Sequence, residues 1–238
     1  MIMPRYTGTL ADDVFLFAGH REGDTILADG TSSPFEPAGS NIVFAGHGGD
    51  TINGGWGHDV IRGGGGDDVI RGYGTAIAGS PSGAASLIAR DGDDVLDGGA
   101  GHDRIEGGGG NDRLSGGIGN DALFGGSGDD IIRGGAGDDV ISSGSGRDQI
   151  WGGAGRDVFK YTYSSTFNEA AHDLDGPDTI HDFRSGVDVL DLRGYFVTDE
   201  IEVVQTRRGI ELHFEAIGRE NSIELLNLRS IAESDILL

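Results

Sequence analysis

The sequence predicts an all-β chain: a parallel β-roll, wound as a right-handed β-solenoid of nonapeptides and closed by a C-terminal antiparallel β cap. Three observations carry this. From Gly98 to Lys160 the chain reads GGAGHDRIE, GGGGNDRLS, GGIGNDALF, GGSGDDIIR, GGAGDDVIS, SGSGRDQIW and GGAGRDVFK, seven nonapeptides without a slipped residue. Each has glycine at its fourth place, aspartate at its sixth and an aliphatic or aromatic residue at its eighth. Glycine is abundant, 46 residues of 238, yet the proline and three-residue period of collagen are missing.

One apolar side chain every nine residues cannot make a core alone, so the units must stack. The last three residues of a unit (VIR, RIE, IIR) favour a short strand. The first six are glycine-rich and suit a tight turn. Two nonapeptides then form one flattened coil, with turns alternating between two sides. The sixth-place aspartates fall in two ladders, Asp94, Asp112, Asp130 and Asp148 in one and Asp103, Asp121, Asp139 and Asp157 in the other. Adjacent rungs lie about one strand spacing apart, roughly 4.8 Å.

Residues 1–44 are a degraded version of this pattern. Gly8–Leu16 puts Asp13 at the sixth place, Ala18–Ile26 sets Asp24 against Asp50, and Glu36–Phe44 carries Asn41 where aspartate belongs. Clean repeats begin at Ala45 and supply Asp50, Asp59 and Asp68. Gly72–Ile88 interrupts them over 17 residues, one short of two nonapeptides; it reads either as a nearly complete coil without ligands or as a bulged loop. Ala89–Asp97 restores the register with Asp94, giving eleven units with both glycine and aspartate in place. Three segments result: degenerate repeats at 1–44, the roll at 45–160 interrupted at 72–88, and a cap at 161–238, where three strand-like stretches are joined by tight links.

The formal charge is −23, from 40 acidic and 17 basic residues. Such a polyanion repels nucleic acid and anionic membrane and suits cations. There is no cysteine, hence no disulfide framework, and no run approaches the length of a membrane span. The start has no apolar h-region, so no cleaved signal peptide is expected.

Carboxylates stacked at strand spacing in a partly dry site repel one another. A hard divalent cation resolves the conflict. Calcium takes 6–8 oxygen ligands from carboxylates and carbonyls, whereas magnesium demands strict octahedral geometry and zinc favours His or Cys. Glycine turns expose carbonyls, and aspartate is the residue that recurs. Roughly six to nine calcium ions are expected on this reasoning.

The units resemble GGxGxDxUx, the calcium-binding nonapeptide of the repeats-in-toxin (RTX, haemolysin-type) family, from Ala45 to Lys160. The resemblance implies one ion between successive turns on each side, held by the aspartates and by carbonyls of the first four residues. Gly98, Gly99 and Gly101 with Asp103, and Gly116, Gly117 and Gly119 with Asp121, would share one ion. Gly107, Gly108 and Gly110, Gly125, Gly126 and Gly128, and Gly134, Gly135 and Gly137 take the same role. Ser143 replaces a first glycine, harmlessly if only its carbonyl is used. The segment DTIHDFRSGVDVLDL is similar to the stretch after the last repeats of serralysin-type secreted proteins. That likeness implies a terminal ion site closed by Asp178, Asp182, Asp188 or Asp191, the alternative being surface carboxylates at strand ends. The DILL terminus resembles the uncleaved signal of type I export, and terminal hydrophobic packing is the other reading.

His20, His47, His58 and His102 sit in turns at third or fifth places, where solvent-facing side chains are expected. HExxH and GxSxG are both missing, so no enzyme is expected. Trp56, Tyr73, Trp151, Tyr161 and Tyr163 suggest a sugar-binding strip. The expected function is a secreted, extracellular calcium-binding protein, exported by type I secretion machinery and folded by external calcium. The alternative is an adhesive or matrix module that binds extracellular polysaccharide or a cell surface, and a third reading is a small enzyme with its site in 1–44 or 161–238. The initial Met and the export-like end suggest a complete chain.

Overall fold

The computed structural model describes residues 5–7, 14–16, 25–27, 39–73, 91–162, 177–194, 201–216 and 219–238. Asp13, Asp24 and Tyr163 lie outside them. Strands are numbered β1 to β21 in chain order. The odd strands from β1 (Arg5–Thr7) to β17 (Val189–Gly194) lie side by side in one sheet, which β21 (Ile236–Leu237) completes. The even strands from β2 (Val14–Leu16) to β16 (Asp178–Ile180) make the other. It continues through β20 (Arg219–Leu226), β19 (Gly209–Ala216) and β18 (Glu202–Gln205). From β1 to β15 each strand pairs in parallel with the strand two ahead, as a chain wound into two-strand coils requires. The molecule is a parallel β-roll.

The strands are longer than three residues. β10 (Arg113–Ile118) takes the last three residues of one unit and the first three of the next, and β12 (Ile131–Ala136) does the same. Leu114 pairs with Ile132 and Gly117 with Gly135, while the first-place glycines, Gly116 and Gly134, fall between paired positions. The glycines therefore belong to the ladder as well as to the turn.

Eighth-place side chains build the core. Ile61, Leu96, Leu114, Ile132, Ile150 and Ile180 stack along the even sheet. Ile52, Ile70, Ile105, Leu123, Ile141, Phe159 and Leu190 face them along the odd sheet, and all thirteen are at most 2% exposed. Burying each contributes about 1.5–3 kcal/mol. Only stacking gives them neighbours.

The parallel ladders do not stop at Lys160. β14 (Gln149–Ala154) pairs in parallel with β16, and β15 (Val158–Thr162) with β17. Asp178–Leu192 thus forms part of a further coil, and antiparallel pairing is confined to β18, β19 and β20. A boundary at 161 falls inside the roll. Ile180 and Leu190 continue the two core rows, which is why the coil extends that far.

The interruption leaves no gap in the ladders. β6 (Val60–Gly65) pairs directly with β8 (Val95–Ala100), and β7 (Val69–Tyr73) with β9 (Arg104–Gly109). Partners here are 35 residues apart instead of 18, so neighbouring coils meet with 17 residues set aside. A complete extra coil is excluded, because it would stand between β6 and β8. Gly72 acts as the first-place glycine for Asp94, and Tyr73 pairs with second-place Gly55. The chain re-enters at Asp91–Gly92, in the third and fourth places. The register resumes two residues later than Ala89. Deleting residues 74–90 would fuse Tyr73 to Asp91 and create the unbroken nonapeptide GYDGDDVLD. The deletion variant is expected to keep the wild-type far-ultraviolet circular dichroism in calcium and to fold at the same or lower calcium; loss of the fold would refute the composite turn.

Candidate metal sites

Each unit needs glycine for two separate reasons. Gly117 and Gly119 adopt φ of 111° and 137°, which side-chain-bearing residues rarely reach. Gly116 lacks room instead: a Cβ there would overlap Asp121 Oδ2 and lie 2.6 Å from the Gly134 carbonyl oxygen. The same holds at Gly98, Gly107, Gly125 and Gly134, each against the aspartate of its own unit and the first-place carbonyl of the next coil. First-place carbonyls and aspartates thus converge at every turn.

The aspartates form two continuous ladders. In the even ladder the backbone N–H of Asp59 donates to Asp94 Oδ1 at 2.7 Å, and Asp94, Asp112, Asp130 and Asp148 continue it to Asp178 at 2.8–2.9 Å. In the odd ladder Asp50, Asp68, Asp103, Asp121, Asp139 and Asp157 are linked in the same way as far as Asp188. Every one of these carboxylates is at most 2% exposed. Oδ1 is used within the ladder. Oδ2 of Asp68, Asp94, Asp103, Asp112, Asp121, Asp130, Asp139 and Asp148 is buried without a hydrogen-bond partner.

Such atoms are costly if charged. Burial pushes the Asp94 carboxyl up to about 10, Asp130 to about 9, and Asp68, Asp112 and Asp139 to about 7. Neighbouring rungs add repulsion, as Asp59 and Asp112 do at Asp94. Among the described residues no three His, Cys, Asp or Glu side chains form a preformed metal cluster. An interval between rungs therefore offers two carboxylates, and backbone carbonyls must supply the rest. That is an all-oxygen set suited to calcium. The residues fit the ion.

The ends differ. Asp178 closes the even ladder and accepts from the Ser143 hydroxyl at 3.0 Å. Ser143 thus contributes its side chain as well as its carbonyl. Asp188 closes the odd ladder. Asp182 lies off both, with its two oxygens accepting the Gly152 and Gly153 amides at 2.9 Å, and Asp191 is paired with Arg193 at 2.8 Å. Neither takes a rung. Asn41 precedes Asp59 in the even ladder; its side-chain amide donates to Asp59 Oδ1 at 3.0 Å and to the Gly54 carbonyl at 3.2 Å.

A second pair of ladders runs through the fifth places. Asn111 N–H donates to Asp93 Oδ1, Asp129 N–H to Asn111 Oδ1 and Arg147 N–H to Asp129 Oδ1, at 2.7–2.9 Å. On the other side Asp67, His102, Asn120 and Asp138 lead to Arg156. His58 and His102 accept through Nδ1 from Asp93 N–H and Asn120 N–H, so both are held by the next coil. The signal was in the sequence: the fifth place is His, Asp or Asn from His58 to Asp138 and turns to Arg only in the last two units.

The described aromatic residues do not share a strip. Trp56 and Tyr161 are buried, and the Tyr73 hydroxyl donates to Glu106. Trp151 is half-buried on the outer face of the even sheet, stacked on His181 at 3.9 Å with the Arg133 guanidinium 4.5 Å from its ring centre.

Fold and site together define a β-roll with oxygen-only cation intervals along both edges. Residues 38–73, 88–123 and 124–159 match the family model of the RTX calcium-binding nonapeptide repeat (4 copies). These segments are similar to RTX calcium-binding repeats, which supports calcium as the ion. Among solved structures the chain is similar to the solution structure of the AlgE6R3 subunit from the Azotobacter vinelandii mannuronan C5-epimerase. Identity is 24%, over 68% of this chain and 84% of that one, with a TM-score of 0.35. No curated protein matches the chain.

Gly116→Ala places a methyl group against Asp121 Oδ2 and the Gly134 carbonyl. It is expected to raise the calcium midpoint of folding about tenfold, or ~1.4 kcal/mol. Ile118→Ala, at a side chain 67% exposed, should leave the midpoint unchanged. Equal midpoints for the two variants, read by circular dichroism against calcium, would contradict the crowding argument.

Proposed function

We propose that the chain is a secreted calcium-binding protein, exported unfolded by type I secretion machinery and folded outside the cell by calcium. The observation that carries this is the row of buried Oδ2 atoms with no protein donor. The unfolded chain has no such site, so ion binding is folding free energy. Extracellular calcium modules bind at about 10⁻⁴–10⁻³ M, far above cytosolic calcium, so the chain stays open until export.

Apart from the end intervals, the even ladder offers four intervals and the odd ladder five. Nine ions would bring roughly +18 against the formal −23. The C-terminal segment supports export before folding. Ile236 and Leu237 form β21, paired with Leu190 and Asp191, and Asp235 accepts from Gly186 N–H at 3.1 Å. The DILL sequence is therefore held in the sheet once the roll forms and is free to be read only beforehand.

A second reading, an adhesive module that binds polysaccharide, is favoured by the Trp151–His181 stack with Arg133 beside it. His181 and Arg133 cover the two faces of the indole, so a sugar carrying an acid group would meet the Trp151 edge and the Arg133 cation beside it. Calcium-loaded protein is then expected to bind acidic glycans on an array, and Trp151→Ala to lose that binding; equal binding by both would reject the face.

Far-ultraviolet circular dichroism tests the first reading. At pH 8.5 the protein in excess EGTA should lack β-structure and gain it at millimolar calcium. Substantial β-structure in EGTA at that pH would defeat calcium-driven folding. The pH dependence has a definite sign. Folded-state carboxyls raised above 3.8 give stability that is complete below about 3.8 and is lost as pH rises through about 7 to about 10. At pH 5.5 the EGTA sample should therefore show more β-structure than at pH 8.5, and the calcium-induced gain should be smaller.

A further inference from the structure

We infer that the chain closes two of its own ion intervals with hydrogen-bond donors: Arg184 the last interval of the odd ladder and Asn41 the Asn41–Asp59 interval of the even one. The inference rests on the calcium-binding reading of the ladders and narrows which intervals take an ion.

Arg184 bridges the last interval. Its guanidinium donates to Asp188 Oδ1 at 2.8 Å, to Asp188 Oδ2 at 3.1 Å, to Asp157 Oδ2 at 3.3 Å and to the Gly155 carbonyl. Two rung carboxylates and a fourth-place carbonyl are the groups a calcium ion would use in an internal interval. Eight Oδ2 atoms elsewhere in the ladders have no partner, whereas Oδ2 of Asp157 has the guanidinium. The side chain reaches that point because Arg184 N–H also donates to Asp188 Oδ2 at 2.7 Å, which folds the 184–188 turn onto the end of the roll. A planar, permanently charged fork suits a pair of carboxylates. An ion and this guanidinium cannot share the interval, so the last odd interval does not fit calcium.

Asn41 does the equivalent in the even ladder. In internal units Oδ2 of the aspartate faces the first-place carbonyl of the next coil, two acceptors that need a cation between them. At Asn41 the second side-chain atom is an amide donor, and it reaches Gly54 carbonyl and Asp59 Oδ1 directly. Its backbone N–H keeps the ladder bond to Asp59 Oδ1 at 2.8 Å. One substitution at the sixth place thus retains the ladder and replaces the ion. These two intervals hold without calcium, one in each ladder.

Native mass spectrometry of the full-length chain at saturating calcium counts bound ions and tests this. Asn41→Asp, which restores the repeat, is expected to bind one ion more than wild type. Arg184→Ala and Arg184→Met should each also gain one, Arg184→Lys should keep the wild-type number, and Asn41→Asp with Arg184→Ala should gain two. A folded variant of either position with the wild-type count overturns the assignment for that interval. Failure of both Arg184→Ala and Arg184→Met to fold in saturating calcium overturns it as well, since a vacated interval should accept the ion. Loss of calcium binding by the wild-type chain would instead reject the calcium reading itself.

Discussion

The structure depends on one interaction, the bond from each sixth-place backbone N–H to the aspartate Oδ1 of the next coil. It fixes the aspartates at strand spacing and buries them, with distances of 2.7–3.1 Å along both ladders. The same bond holds one carboxylate oxygen and leaves the other turned inward beside a carbonyl. Stacking the aliphatic residues of the core therefore forces like charges together. The hydrophobic rows and the electrostatic conflict are inseparable, because one nine-residue period positions both.

Calcium is the natural partner of that conflict. On the proposed reading its role would be structural: the aspartates of neighbouring rungs would hold it and so join neighbouring coils. A one-dimensional stack gains stability from each nearest-neighbour interface, and here eight ladder carboxylates bury an Oδ2 atom without a hydrogen-bond partner. At the Asp157–Asp188 interval a guanidinium, and at Asn41 a side-chain amide, supplies hydrogen bonds instead. The fifth-place ladders add a weaker, exposed seam of hydrogen bonds that needs no metal, and their last members, Arg147 and Arg156, sit where no further unit of the repeat requires an acceptor.

The even and odd edges are not equivalent. The odd edge ends in Asp188 and the Arg184 turn, which Asp235 and β21 lock from outside. The even edge runs on into an antiparallel β18–β19–β20 extension, whose inner strand pairs in parallel with β16. Two unlike closures thus cover the last coil of the roll on its C-terminal side, where a bare strand edge would be a hazard.

The period of nine was enough to give the fold class, the two ladders and the ion chemistry, because each follows from which side chain recurs and at what spacing. The core residues at the eighth place and Asp50 to Asp157 at the sixth were legible for that reason. The interruption was not, since Ala89–Arg90 and Gly72–Tyr73 are equally placed to begin the unit that contains Asp94; only the direct pairing of β6 with β8 chooses between them. Nor was the end of the roll, where Asp178 and Asp188 take the sixth place behind the fourth-place glycines Gly176 and Gly186 but with no glycine at the first three places. Asp182, in the same run, turns instead to the Gly152 and Gly153 amides. Local pattern determines what repeats. Where the repeat begins, passes over a segment or stops depends on contacts between residues some 30 positions apart, and those exist only once the coils are stacked.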